Sequence, residues 1–360
     1  MRISKSVAAL WLIALAGVAL AIVAPSVLPE RYYFDAETVR ELLADRYGEG
    51  SESFVSTAHA YRLMGFTTLW PEALAGPVSF ALAFAAVALG ARLAGATWNP
   101  VVFALLALWT VPIAIFHGTY SKEVFAIVAI GVMARVARSI PGIALAAAIA
   151  MLYAAGFRTY WAVIVVLWLV LVAGWRMGLG WTARLALVAL AILPLSLASE
   201  SFAGLWLSDG RTVVVEAREG DPDSATLFFN PWPNTSPLTD LANVGVGWLR
   251  IVLPFHLLAL GALQHVAFAL FQFVNTAVFV RVAAALPRPV RGEAPTADDW
   301  LRASAAAWCV AYTIVQGMFE PDFGSFVKHE ANVVPMLMLL VSAHAGRAVP
   351  AARPLAGAVH

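Results

Sequence analysis

Three short segments place cations beside acids and a histidine. They are His117-Gly-Thr-Tyr-Ser-Lys122-Glu123, Gly156-Phe-Arg158-Thr-Tyr160-Trp161 and Glu320-Pro-Asp-Phe-Gly-Ser-Phe-Val-Lys328-His329-Glu330. Each links two strongly apolar runs by a turn that neutral residues could have built. Arginine forks and lysine point charges both bind phosphate oxygens, and a neighbouring carboxylate or imidazole can take a proton. Cations that neutralise a diphosphate leaving group, with a base that activates an acceptor hydroxyl, are the parts needed for glycosyl transfer from a lipid-linked donor. An all-cationic clamp can supply the charge stabilisation that a metal would give. No spacing in the sequence calls for a metal or another cofactor, so none is expected.

Each segment also has a plainer reading. Lys122 and Glu123 fit a solvated turn pair capping the next helix, and Arg158 fits a side chain that snorkels to lipid headgroups. Lys328 and Glu330 fit a surface ion pair worth little. Taken together these readings weaken, because the cations fall on the side of the membrane where basic residues are disfavoured. Tyr160, Trp161, Trp206 and Trp232 read as interface anchors. His256, His265 and His344 read as structural, and Gln316 and Asn275 as interhelical hydrogen bonders.

The elements that must position these groups are membrane spans. Of 360 residues, 61% are hydrophobic and 12% charged, and the mean hydropathy is +0.79. Soluble domains carry about 25% charged residues, so a water-soluble enzyme, a disordered chain and a nucleic-acid binder are excluded. Apolar runs of about 18 residues or more read as spans. The expected fold is all-α: a polytopic integral membrane protein of about ten transmembrane helices, with residues 1–360 forming a single polytopic membrane domain. The spans fall near 6–24, 73–92, 100–117, 123–138, 142–157, 160–176, 184–200, 255–281, 301–319 and 331–347. The first, Ser6–Ala24, is too long for a secretory signal core and reads as retained. Leu238–Pro254 reads as an interfacial or re-entrant segment. The single cysteine, Cys309, forms no intramolecular disulfide.

Charge sets the orientation. With both termini cytoplasmic, the inside segments hold 13 basic residues (Arg2, Lys5, Arg92, Arg135, Arg138, Arg176, Arg184, Arg281, Arg288, Arg291, Arg302, Arg347 and Arg353) against three acids, Glu293, Asp298 and Asp299. The outside segments hold the other 10 basic residues and 19 acids, as the positive-inside rule requires. Two larger extracytoplasmic loops follow, at about 25–72 and 199–243. The long inside stretch Pro287–Trp300 reads as a plain linker. Elaborated loops carry function, so the site is expected outside.

The order of these features resembles bacterial integral-membrane polysaccharide polymerases, the Wzy-type O-antigen and exopolysaccharide repeat-unit polymerases. The matching pieces are Tyr33-Phe-Asp35-Ala-Glu37, Tyr120-Ser-Lys122-Glu123, Phe157-Arg158-Thr-Tyr160 and Gly324-Ser-Phe-Val-Lys328-His329-Glu330 before a proline-containing last span. The resemblance implies a GT-C-like enzyme of the bacterial inner membrane that polymerises repeat units carried on undecaprenyl diphosphate. It also implies partners among other envelope glycan proteins, such as a chain-length regulator. It points to arginines of the second large loop or its end (Arg211, Arg218 and Arg250) as binders of diphosphate or glycan.

On this reading Lys122, Arg158 and Lys328 hold the diphosphates, with Arg211 and Arg250 as further binders. Glu123 ranks first as base, followed by His329 and Glu330. The closest alternative is a GT-C transferase that uses a polyprenyl-monophosphate sugar donor, with Asp35 and Glu37 as its acidic pair, with or without a metal. Activity that depends on added divalent metal would favour it. In this acid-rich stretch, however, a solvated face is the plainer assignment. The second alternative, a polytopic transporter or flippase, is disfavoured by the absence of an inverted repeat.

Overall fold

Polar punctuation starts many of the helices. Ser4 precedes α1 (Lys5–Val27) and accepts the Val7 amide. The first long connection then forms α2 (Phe34–Leu43) and α3 (Glu52–Leu63) before α4 (Ala75–Leu93). Asn99 caps α5 (Pro100–His117), accepting the Val102 amide at 2.9 Å ahead of a proline that needs no partner. A tight turn leads to α6 (Glu123–Val136). Ser139 caps α7 (Ile140–Gly156), and α8 (Trp161–Arg176) and α9 (Trp181–Ala203) follow. Gly204 ends α9 in the left-handed conformation, φ 68°. Next come α10 (Asp209–Ala217), α11 (Pro237–Val252), α12 (Phe255–Leu260), α13 (Leu263–Ala284), α14 (Ala297–Phe319), α15 (Phe323–Glu330) and α16 (Val334–Arg347). Capping boxes start α11 (Ser236 with Thr239) and α14 (Thr296 with Asp299).

This computed structural model describes residues 4–45, 51–94, 98–220, 226–286, 289 and 294–347. Among them the secondary structure is helical, with isolated bridges and no strand. Six stretches are long and apolar enough to cross a bilayer: Lys5–Val27, Glu72–Leu93, Pro100–His117, Trp181–Ala203, Leu263–Ala284 and Phe323–Ala345. The helices α7 and α8 are apolar but shorter. The chain is an all-α, multi-pass membrane protein whose surroundings are lipid. The side chains of Trp11, Leu12, Leu15 and Ile22 on α1 are accordingly exposed. Of the residues used to orient the chain, Arg2, Arg288, Arg291, Glu293 and Arg353 lie outside the described residues, as does much of the first half of the Pro287–Trp300 linker.

One expectation for the weakly patterned region changes, and a second takes a definite form. The span expected over 255–281 is two helices, α12 and α13, separated at Gly261, whose φ of +70° no helix accommodates. The stretch Leu238–Pro254, read as interfacial or re-entrant, is mostly the continuous helix α11, packed against α9 and α14. It carries the buried Asp240. That carboxylate accepts the Ser196 hydroxyl at 2.6 Å, the Leu207 and Ser208 amides at 3.2 and 3.0 Å, and the Ser208 hydroxyl at 2.6 Å. Four donors offset the cost of burying it, and they pin the second long loop to the bundle.

Small residues set the closest helix crossings. A Cβ at Gly317 on α14 would stand 2.7 Å from the Trp248 amide nitrogen of α11, and one at Gly247 would stand 2.4 Å from the Gly317 carbonyl. On α4, a Cβ at Gly90 would meet the Pro335 carbonyl of α16 at 2.2 Å. In lipid the helices gain little from hydrophobic burial, so close backbone packing carries the association. Gly317→Val pushes backbone against backbone, and overpacking costs roughly 1–3 kcal/mol. Its unfolding midpoint in detergent should drop measurably. Gly245→Ala on the same α11, where a Cβ meets nothing within 4 Å, should leave the midpoint unchanged or raised.

Candidate functional site

Two turns and one short helix carry the candidate residues, and aromatic side chains hold all three in place. Tyr61 of α3 is fully buried, and its hydroxyl accepts the Ser121 amide at 3.0 Å and reaches the Thr119 carbonyl at 3.1 Å. It fixes the turn that presents Lys122 while packing edge-on against Tyr120 and Phe125. In the second turn, Phe157 stacks on Tyr153 at 5.0 Å and on Phe125 at 5.3 Å, which holds Arg158 beside the first turn. The third element is α15, whose start is fixed by Asp322 accepting the Ser325 amide at 2.8 Å. Its last turn brings Lys328, His329 and Glu330 towards the same end of the bundle.

At the centre lies the Glu123 carboxylate, 1% exposed. Its Oε1 pairs with the Arg158 guanidinium and lies 3.2 Å from His329 Nε2. Its Oε2 accepts the Asn332 amide at 2.6 Å. Because that amide nitrogen faces Glu123 and the Tyr312 hydroxyl, the Asn332 oxygen is left to accept from His117 Nε2 at 2.8 Å. His329 Nδ1 meets Glu320 at 2.6 Å, and its Nε2 lies 2.6 Å from Arg158 Nη2. A guanidinium can only donate, so this last contact requires the Nε2 lone pair. His329 therefore carries its proton on Nδ1, donated to Glu320.

Arg158 and His329 also face a cavity of about 570 Å³. Its basic lining is completed by Arg31, Lys122, Arg218 and Lys328, and its apolar lining includes Phe34, Phe116 and Phe268. Lys328 pairs with Asp35, while Arg218 meets Asp322 at 2.8 Å. The Lys122 ammonium sits 4.1 Å from the centre of the Phe54 ring, a cation–π contact. Burial, reinforced by the Arg158 charge, brings the Lys122 ammonium down to about 8, against the pull of Asp35 and Glu123. Burial alone would raise the Asp35 carboxyl. Lys328, Lys122 and Arg158 outweigh it and hold the group well below the usual carboxylate range.

Lys122, Arg158, Lys328, His329 and Asp35 thus converge on one cavity, with Glu123 directly behind. Glu330 turns away: its carboxylate accepts from Asn275 at 3.3 Å, and Asn275 in turn accepts from Trp109 at 2.8 Å. Glu37 is exposed and paired with Arg40. Arg211 is buried against the Gly317 carbonyl at 2.6 Å and against Asn230, so it ties the second loop to α14. Arg250 donates to the Phe229 carbonyl at 2.8 Å. Neither lines the cavity. Reasoning from sequence passed over Arg31 and Asn332. Asn332 had a usable signal, an amide two residues into the last apolar run.

Comparison of the chain with protein-family models, with curated proteins and with solved structures finds no match. The cavity's chemistry therefore rests on its own geometry. A lysine that loses its proton near pH 8 stops attracting anions above that pH. Binding of a phosphate-bearing ligand, followed by calorimetry, should weaken as pH rises through about 8. Lys122→Arg should remove that dependence, since arginine stays charged throughout.

Proposed function

We propose that the chain is a membrane glycosyltransferase that polymerises lipid-diphosphate-linked glycan at the extracytoplasmic face of the bacterial inner membrane. The observation that carries this reading is the cavity itself: Arg158, Lys122 and Lys328 on one wall, beside a histidine whose far nitrogen is held by Glu320. The proposed topology has ten spans, both termini cytoplasmic and the cavity opening outside. The substrate would be an undecaprenyl-diphosphate-linked oligosaccharide, with a chain-length regulator among the partners.

The step follows from the hydrogen bonds. Phosphate oxygens draw the Arg158 guanidinium off His329 Nε2 and free its lone pair. An acceptor hydroxyl gives its proton to Nε2 as its oxygen bonds to the anomeric carbon. The bond from that carbon to the diphosphate oxygen breaks, and the diphosphate leaves with the electron pair, neutralised by the cations. Glu320 stabilises the resulting imidazolium. Glu123, which ranks first from sequence, already receives the Arg158 guanidinium and the Asn332 amide, so its part is to orient Arg158 beside His329.

The monophosphate-donor transferase remains the second reading. It is supported by Asp35 in the cavity wall, where an acidic residue of the first loop would serve that chemistry.

Alanine at Lys122, Arg158 or Lys328 should each lower polymer formation about ten- to a hundredfold at normal protein abundance, since a hydrogen bond to a charged group contributes roughly 1.5–3 kcal/mol. Arg158→Lys should restore only part of the loss. His329→Gln should cost about 10²–10⁴-fold. Wild-type polymer from all four variants would remove this function. If Asp35→Asn alone is inactive, the monophosphate reading gains.

Orientation is tested separately in a Cys309→Ala background. Cysteines at Ser51 and Ser325 should label with an impermeant thiol reagent in intact cells, and one at Ala294 should not. Labelling at Ala294 would reverse the topology.

A further inference from the structure

Tyr160, which from sequence reads as an interface anchor, lies in the cavity wall. It follows Arg158 by two residues in the same turn, and its ring centre is 5.5 Å from the guanidinium carbon. Phe319, in the same wall, directly precedes Glu320, the residue that holds His329. The two rings stack, with centres 5.5 Å apart and planes inclined by 20°. Each side chain is only partly buried, whereas the Tyr160 hydroxyl is sealed within the protein. Tyr160 therefore offers the cavity ring carbon and no polar group.

Phosphoryl groups gain nothing from such a surface. The cavity, about 570 Å³, falls within the roughly 300–1,000 Å³ that encloses a whole small molecule, so it has room for more than phosphate. In the proposed reaction the anomeric carbon is bonded to a phosphate oxygen held at Arg158, and the acceptor hydroxyl stands at His329. The sugar ring is tethered to that phosphate by a single bridging oxygen, so it must rest against the wall beside both side chains. Of the aromatic lining, Tyr160 and Phe319 are the rings tied to both. A pyranose carries its hydroxyls at the rim and C–H bonds on its faces, and weakly positive C–H bonds match the negative face of an aromatic ring. The other end of the ligand has its own surface. Phe268 belongs to α13, a span with few buried residues, so that side of the cavity borders the lipid into which an isoprenoid chain would run.

We infer that Tyr160 and Phe319 form a platform for the sugar ring of a phosphate-linked ligand, next to the cationic seat. This role rests on the anion-binding reading of the cavity and adds to it a subsite for carbohydrate. The platform positions the ring and exchanges no proton.

The test is binding of two probes to the full chain in lipid nanodiscs, followed by calorimetry. Glucosyl geranyl diphosphate and methyl geranyl diphosphate carry the same charge and the same tail, and differ only in the sugar. The wild-type chain should bind the glucosyl probe more tightly by about two- to tenfold, the range of one aromatic contact. Tyr160→Leu and Phe319→Leu should each remove most of that preference by weakening the glucosyl probe alone. Tyr160→Phe, which keeps the ring, should restore what Tyr160→Leu loses. Arg158→Ala should weaken both probes alike. Equal weakening of both probes by leucine variants with unchanged thermal midpoints would assign the rings to packing or to the tail, and overturn the inference. So would a wild-type chain that binds both probes equally, or loss of the preference in Tyr160→Phe, and these two outcomes decide the matter even where a leucine variant fails to fold. If the wild-type chain binds neither probe, the anion-binding reading itself fails and this inference falls with it.

Discussion

A carboxylate almost sealed from solvent has to be matched by donors, and around Glu123 that requirement organises the site. The donors are Arg158, from the turn after α7, and Asn332, from the turn before α16, while His329 of α15 packs against the Arg158–Glu123 pair. Breaking a buried pair by removing one partner typically costs about 3–5 kcal/mol, because it leaves an uncompensated charge. Each of these segments therefore has a strong reason to stay where it is. A site built this way is pre-organised before any ligand enters.

The same matching explains how one wall can be both cationic and stable. The cations facing the cavity do not repel one another into disorder, because Glu123, Asp35 and Asp322 each hold one of them. Glu320, itself in the cavity lining, plays a different part, fixing the tautomer of His329. The wall is thus a set of charges borrowed against carboxylates, and a ligand with concentrated negative charge can compete for them.

Much of this was legible in the sequence, and the gaps have physical causes. Apolar runs and polar turns identified a helical membrane protein, and the Lys122–Glu123, Arg158 and Lys328–His329 segments stood out because charge there is expensive. Asp35 stood out only as half of an alternative acidic pair, not as the partner of Lys328. It lies in a loop rich in acids, and its partner Lys328 is 293 residues away, beyond any local pattern. Glu330 looked like a companion to His329, but neighbours on a helix point about 100° apart. One faces the cavity and the other faces α13. Around 244–284, hydropathy alone could not separate one kinked span from a packed amphipathic helix followed by two more. The left-handed Gly261 decides it.

The Tyr61 hydroxyl, which bridges the first loop and the Lys122 turn, bears on how the protein is made. Residues 34–63 leave the ribosome long before residues 119–121, and longer still before Lys328. The early loop must wait, its aromatic cluster incomplete, until later helices are inserted and reach it. The site closes only when α15 arrives. Chains stopped short of α15 would carry the loop, both turns and most of the spans, yet no assembled centre. Quality control that senses an unpaired Glu123 would have a direct measure of whether synthesis had passed α15.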